Sequence, residues 1–291
     1  MTINLTPSFN LPTPQAGLIE GTLTTTGGIS NVALVSNTAV WANVIEIYHG
    51  SDNQTLTITG NEALQIIGVT PNAKVGDTID ASMFTQTLNL GAALGISGDI
   101  EGVKINTKGA GNTGKGDVVK LGSGTSYLAV SSAVIGDKIT LLPSHTAVDT
   151  LDTNLIASTI AKTAYTSAAA QQADITQITN FNTNHDMLGI NSRNGSASDL
   201  IGHTWTVTNG FVTGTGLTGA TGLTAFLEDV AASKTFIAMD RLAYTDGTNT
   251  YIAIADHAAG TALGEHIIEL VGVHTATALG GAGGAHTIWI A

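Results

Sequence analysis

The chain has 291 residues, 35 of them glycine, and only 11% are charged, against about 25% in ordinary soluble domains. Its 22 Asp+Glu outnumber 10 Lys+Arg, for a formal net charge of −12, and Arg193 and Arg241 are its two arginines. So few cations exclude nucleic acid held by phosphate neutralisation, and the absence of cysteine excludes disulfides, zinc–thiolate sites and Cys nucleophiles.

In chain order, the first 25 residues carry Pro7, Pro12 and Pro14 and read as an extended arm. Their opening, MTINLTPSFNLPTPQ, has neither the basic nor the apolar region of a Sec signal peptide. Leu5, Phe9, Leu11, Leu18 and Ile19 are the residues with which this arm would pack on a neighbouring copy, as a strand added to an open edge. Residues 26–152 are rich in strand signals. Val44–Tyr48 and Thr55–Thr59 are bounded by Gly, Asn and Asp, and Leu56 and Ile58 alternate with Thr55, Thr57 and Thr59.

Within this stretch Gly-Asp-x-apolar recurs as Gly76-Asp77-Thr78-Ile79, Gly116-Asp117-Val118-Val119 and Gly136-Asp137-Lys138-Ile139. An imperfect copy, Gly98-Asp99-Ile100, has its apolar residue one place early. The aspartates lie 22, 18 and 20 residues apart. Such a period suits one coil of a parallel β-solenoid. Four unrelated Gly-Asp turns in a glycine-rich β protein remain the alternative.

Residues 153–291 differ in texture. Ile156–Gln172 is Ala-rich without an apolar stripe and reads as a loop with one helical turn at most. Thr204–Thr208 reads as a strand, and Leu223, Phe226, Leu227 and Val230 mark a short amphipathic helix. Thr235–Tyr244 and Thr250–Ala255 flank Asp246-Gly247-Thr248-Asn249 as a hairpin, and Ile267–Val273 and Thr287–Ile290 close the chain. The expected fold class is all-β: β-roll-like parallel solenoid coils, then a mixed β module with one short helix. No run of 18 apolar residues is present to span a membrane as a helix.

Asp137–Leu141 with His145–Leu151, then Ala173–Phe181 and His185–Ile190, resemble the glycine- and aspartate-rich repeats of bacterial surface-layer proteins exported by type I secretion. Thr250–Asp256 followed by Glu265–Val273 is similar to the terminal module of that family. The resemblance implies export through type I machinery by a C-terminal signal, an extracellular or cell-surface location, and calcium as cofactor. By resemblance the calcium ligands are Asp137, Asp149 and Asp152, with Asp174 and Asp186 flanking the Phe181 loop; Asp77, Asp80, Asp99 and Asp117 are weaker candidates. Gly114-Lys115-Gly116-Asp117 departs from the family's calcium nonapeptide, being one residue short between its last Gly and the Asp.

None of the eight histidines has helical zinc-site spacing to another or a His-Glu-x-x-His context. Gly109–Gly114 matches a dinucleotide loop only in its letters, and no nucleophile elbow occurs. The expectation is therefore a non-enzymatic, self-assembling surface protein forming a lattice or filament. Its partners are further copies of itself, the secretion machinery and a cell-surface polysaccharide. The competing expectation is an adhesin or ligand-binding module secreted by the same route.

Overall fold

The computed structural model describes residues 2–5, 21–24, 31–36, 43–48, 55–69, 78–90, 118–129, 138–152, 175–183, 185–189, 203–208, 211–233, 241–255, 265–272, 279–280 and 287–290. The chain opens with β1 (Thr2–Leu5), β2 (Gly21–Thr24), β3 (Asn31–Ser36), β4 (Asn43–Tyr48), β5 (Thr55–Gly60) and β6 (Leu64–Val69). Then come β7 (Thr78–Asp80), β8 (Leu88–Leu90), β9 (Val118–Lys120), β10 (Ser126–Ala129), β11 (Lys138–Thr140) and β12 (Thr150–Asp152). β13 (Thr176–Thr179), β14 (Met187–Gly189), β15 (Trp205–Thr208) and β16 (Phe211–Gly214) precede the helix α1 (Gly219–Ala232). β17 (Arg241–Thr245), β18 (Thr250–Ala255), β19 (Glu265–Val271), β20 (Leu279–Gly280) and β21 (Thr287–Ile290) complete the described elements.

Successive strands alternate between two sheets. The odd-numbered strands β1 to β13 pair in parallel in one sheet, and the even-numbered β2 to β14 do the same in the other. β19 continues the first sheet parallel to β13, and β18, β17, β16 and β15 extend it with mixed pairing. β21 closes on β14 antiparallel, with β20 beyond it. The described residues are thus almost all β and mostly parallel, with one short helix among them, as the strand signals predict.

Register explains the repeat. Val32, Leu56, Ile79, Val119, Ile139, Ile178 and Leu270 pair in succession across the first sheet, and all are buried. Ile79, Val119 and Ile139 are the apolar positions of three Gly-Asp-x-apolar copies, so each copy feeds its hydrophobe into one stacked column. Burial of each such side chain stabilises the fold by about 1.5–3 kcal/mol. The imperfect copy Gly98-Asp99-Ile100 lies outside the described residues, and β7 pairs directly with β9.

In the other sheet Ile66, Leu128, Leu151 and Leu188 are buried in one column, with Leu90 at the same register position between Ile66 and Leu128. The corners joining the sheets stack tightly. A Cβ on Gly122 would meet the Phe84 carbonyl oxygen at 1.8 Å, so only glycine lets this corner lie on the previous one.

Leu56 and Ile58 of β5 point inward as expected, with Thr57 exposed. The predicted helix forms, with Leu223, Phe226 and Val230 buried. Its Phe226 stacks on Tyr244 at 5.1 Å between ring centroids, while Trp205 meets both rings edge-on. Asp229 Oδ2 accepts hydrogen bonds from the Trp205 indole N–H (2.7 Å), His203 Nδ1 (2.9 Å) and the His203 backbone N–H (3.0 Å), tying β15 to the helix. The expected hairpin is present as β17 and β18. Asp246 Oδ1 accepts from the Thr248 and Asn249 N–H groups at 2.7 and 2.8 Å, and Gly247 adopts a φ of +94°.

Of residues 1–25, which the sequence offers as an arm for another copy, β1 pairs with β3 and β2 with β4. Two short parallel strands at sheet ends satisfy their inner edges this way without a partner molecule. Phe9, Leu11, Leu18 and Ile19 lie outside the described residues, as does Ile156–Gln172.

Candidate functional site

The corners between the two sheets carry the most unusual chemistry. In the second sheet Leu64, Leu88 and Ser126 share one register position. Asp149 and Asp186 stand one residue before Thr150 and Met187, which pair with each other and, through Thr150, with Tyr127. A position filled by buried leucine in β6 and β8 is therefore occupied by Ser126 in β10 and then by aspartates directly before β12 and β14. All five residues are buried.

His145 reaches the same place from the corner after β11. Leu142-Pro143-Ser144-His145 forms a turn in which the His145 N–H approaches the Leu142 carbonyl at 3.4 Å, and Ser144 has a φ of 59°. Proline followed by a left-handed residue is the type II pattern. It brings the ring back over its own turn, so that Nδ1 lies 2.6 Å from the Leu142 carbonyl oxygen and Nε2 lies 2.8 Å from Asp186 Oδ1. Asp149 Oδ2 is 3.5 Å from the same Nε2. The His145 side chain is 1% exposed, and those of Asp149 and Asp186 are 0% exposed.

Backbone amides hold both carboxylates. Asp186 Oδ1 accepts from the Asp149 N–H at 3.1 Å, and Oδ2 accepts from the Asn182 N–H at 2.7 Å. Asp149 Oδ1 accepts from the Ser126 N–H at 2.9 Å. The neighbouring β10, β12 and β14 are stapled at one end through this cluster. Asn180, at a φ of 64°, adds a cross-coil bond from its amide to the Leu141 carbonyl at 2.9 Å. One atom is left over: Asp149 Oδ2 is buried and accepts no hydrogen bond.

Electrostatics follow from this packing. Burial, and then the neighbouring Asp186 charge, push the Asp149 carboxyl up to about 6. Burial works against a charged His145 ring, but its hydrogen bonds to Asp186 and to the Leu142 carbonyl outweigh that, and its net shift is upward. With both ring nitrogens facing oxygen atoms, this geometry favours the imidazolium, in line with the upward shift. One imidazolium and one carboxylate balance; a second ionised carboxylate has no counter-charge.

Of the aspartates expected to bind calcium, the structure brings Asp149 and Asp186 together. Asp152 lies in β12, its side chain not described. Asp77, Asp99, Asp117, Asp137 and Asp174 lie outside the described residues. Asp80 is taken up otherwise: Ser82 and Lys120 bond to its carboxylate, at 2.6 and 3.3 Å, and hold it below the usual range against the opposing effect of burial. Calcium needs six to eight oxygens. At the cluster three of four carboxylate oxygens already accept N–H bonds, the nearby Leu142 carbonyl faces His145, and one donor is an imidazole nitrogen. The cluster does not fit calcium. His145, the residue the sequence reading passed over, is the centre of it. No protein-family model matches the chain, and no curated protein matches it.

Proposed function

We propose that the chain is a structural protein of the cell surface that assembles with further copies of itself, built as a parallel two-sheet solenoid. The regular exchange of strands between two parallel sheets supports the solenoid, since each odd–even pair then makes one coil. The observation that carries the assembly reading is that β1 ends one sheet and β2 ends the other, so both sheets finish at the same end of the stack. Among the described residues no strand pairs with their outer edges.

Thr2-Ile3-Asn4-Leu5 and Gly21-Thr22-Leu23-Thr24 contain no charge and no proline, the devices that ordinarily protect a sheet edge. A second copy of this chain is the occupant proposed, adding strands to this open end. The burial of His145, Asp149 and Asp186 supports a structural over a catalytic reading, because the cluster has no exposed donor atom for a substrate. Calcium as the assembly trigger is supported only by the sequence positions of Asp77, Asp117 and Asp137. Each directly precedes a strand, and those three strands are successive neighbours in register. Type I export to the cell surface rests on the family resemblance.

The test is negative-stain microscopy and light scattering of the chain with calcium and with a chelator. Ordered polymers are expected in calcium, and the Ile3→Lys, Leu23→Lys double variant is expected to remain monomeric. A wild-type chain that stays monomeric at high concentration in calcium overturns the reading.

A further inference from the structure

We propose that His145, Asp149 and Asp186 form a structural site for one small divalent transition-metal ion of the zinc class, bound through Nε2, Oδ2 and Oδ1. The three donor atoms lie within 4.8 Å of one another and belong to buried residues. Nδ1 is committed to the Leu142 carbonyl. That bond fixes the tautomer whose Nε2 lone pair faces the carboxylates once its proton leaves, the usual second-shell arrangement of a metal-bound histidine. The buried Asp149 Oδ2, which accepts no hydrogen bond, points to a missing cation at this spot.

Charge counting selects the class of ion. Two carboxylates, a neutral imidazole and a divalent ion sum to zero, which suits a site from which water is excluded. An ion entering the protonated cluster displaces the Nε2 proton and the proton of the second carboxyl, and both pass to solvent. One nitrogen and two carboxylate oxygens are common zinc donors, at about 2.0–2.2 Å. Around a tetrahedral ion such donors stand about 3.4 Å apart, close to the 3.5 Å between Nε2 and Asp149 Oδ2. The 2.8 Å between Nε2 and Asp186 Oδ1 widens slightly as the hydrogen bond gives way to the ion. A water or a second carboxylate oxygen completes the coordination.

Bound in this way, the ion ties the corner after β11 to the corner after β13. The site is independent of assembly, so the experiment uses the chain carrying Ile3→Lys and Leu23→Lys alongside wild type. Metal-free protein, both folded and refolded in the presence of the ion, is titrated with cobalt(II) as a spectroscopic probe. Expected are visible absorption bands saturating at one equivalent in both chains, abolished by zinc and retained in a hundredfold excess of calcium. Asp149→Asn keeps the shape of the protonated side chain, and with His145→Gln it is expected to lower cobalt affinity at least about 100-fold while the far-ultraviolet circular dichroism stays native. Absence of the bands in wild type, bands that persist in both variants, or displacement by calcium as readily as by zinc overturns the site.

Discussion

The same column of the second sheet is built in two ways. In its earlier strands, β6 and β8, Leu64 and Leu88 fill it, each 1% exposed. In the later coils Ser126, Asp149 and Asp186 take the equivalent places, with His145 laid across them. The hydrogen bonding changes with the side chains: the Leu64 and Leu88 N–H groups donate to the Thr87 and Thr125 carbonyls, both at 3.0 Å, whereas the Ser126 and Asp149 N–H groups donate to the Asp149 and Asp186 carboxylates, at 2.9 and 3.1 Å. The column therefore accepts either solution. The apolar one gains from burial alone and tolerates loss of detail. The polar one gains specificity, because each carboxylate fits only if particular amides on neighbouring coils lie in register, and it depends on charge compensation.

The sharpest way to break the polar half is Asp186→Ala. It strips the Asn182 and Asp149 amides of their acceptor and removes the counter-ion of His145. A loss of about 3–5 kcal/mol, or failure to fold, is expected from the urea midpoint. In the apolar half, Leu64→Ala removes a buried side chain whose strand neighbour Leu88 is buried too. The expected loss is about 2–5 kcal/mol with no dependence on pH, which separates the two kinds of coil. Smaller again is Lys120→Ala. Its pair with Asp80 links β9 to β7 on the solvent side, at 3.3 Å with the lysine side chain 45% exposed. Less than about 1 kcal/mol is expected, vanishing in high salt.

Much of this fold is legible in the chain. Alternation in Thr55–Thr59 gives the inward Leu56 and Ile58, the stripe from Leu223 to Val230 gives the helix, and Asp246-Gly247 gives the hairpin turn. Gly-Asp-x-apolar locates three rungs, Ile79, Val119 and Ile139, because the apolar residue sits at a fixed distance from the Gly-Asp pair. The cluster was harder to see. His145 and Asp186 are 41 residues apart, and only the coil register makes them neighbours. One signal was available: Asp149-Thr150-Leu151 and Asp186-Met187-Leu188 share the Asp-x-Leu form, matching Ser126-Tyr127-Leu128 and Leu88-Asn89-Leu90. Aligning those triplets places two aspartates in a core column, where a buried acid calls for a partner.

The account rests on the claim that the later coils hold one carboxylate more than their own cation balances. Asp149 is held up to about 6 in the folded chain, from an ordinary 3.8. Between those values the folded state keeps a proton that the unfolded state releases, so metal-free stability falls as pH rises through this window. The raised His145 acts in the same direction at higher pH, its contribution lost as the ring deprotonates. Comparing metal-free wild type with Asp149→Asn by urea unfolding at pH 4 and pH 7.5 reads this carboxyl together with its coupling to His145 and Asp186. The variant is predicted to be the more stable at pH 7.5, with an advantage over wild type greater by up to about 3 kcal/mol than at pH 4. A difference between the two chains that is the same at both pH values contradicts the claim.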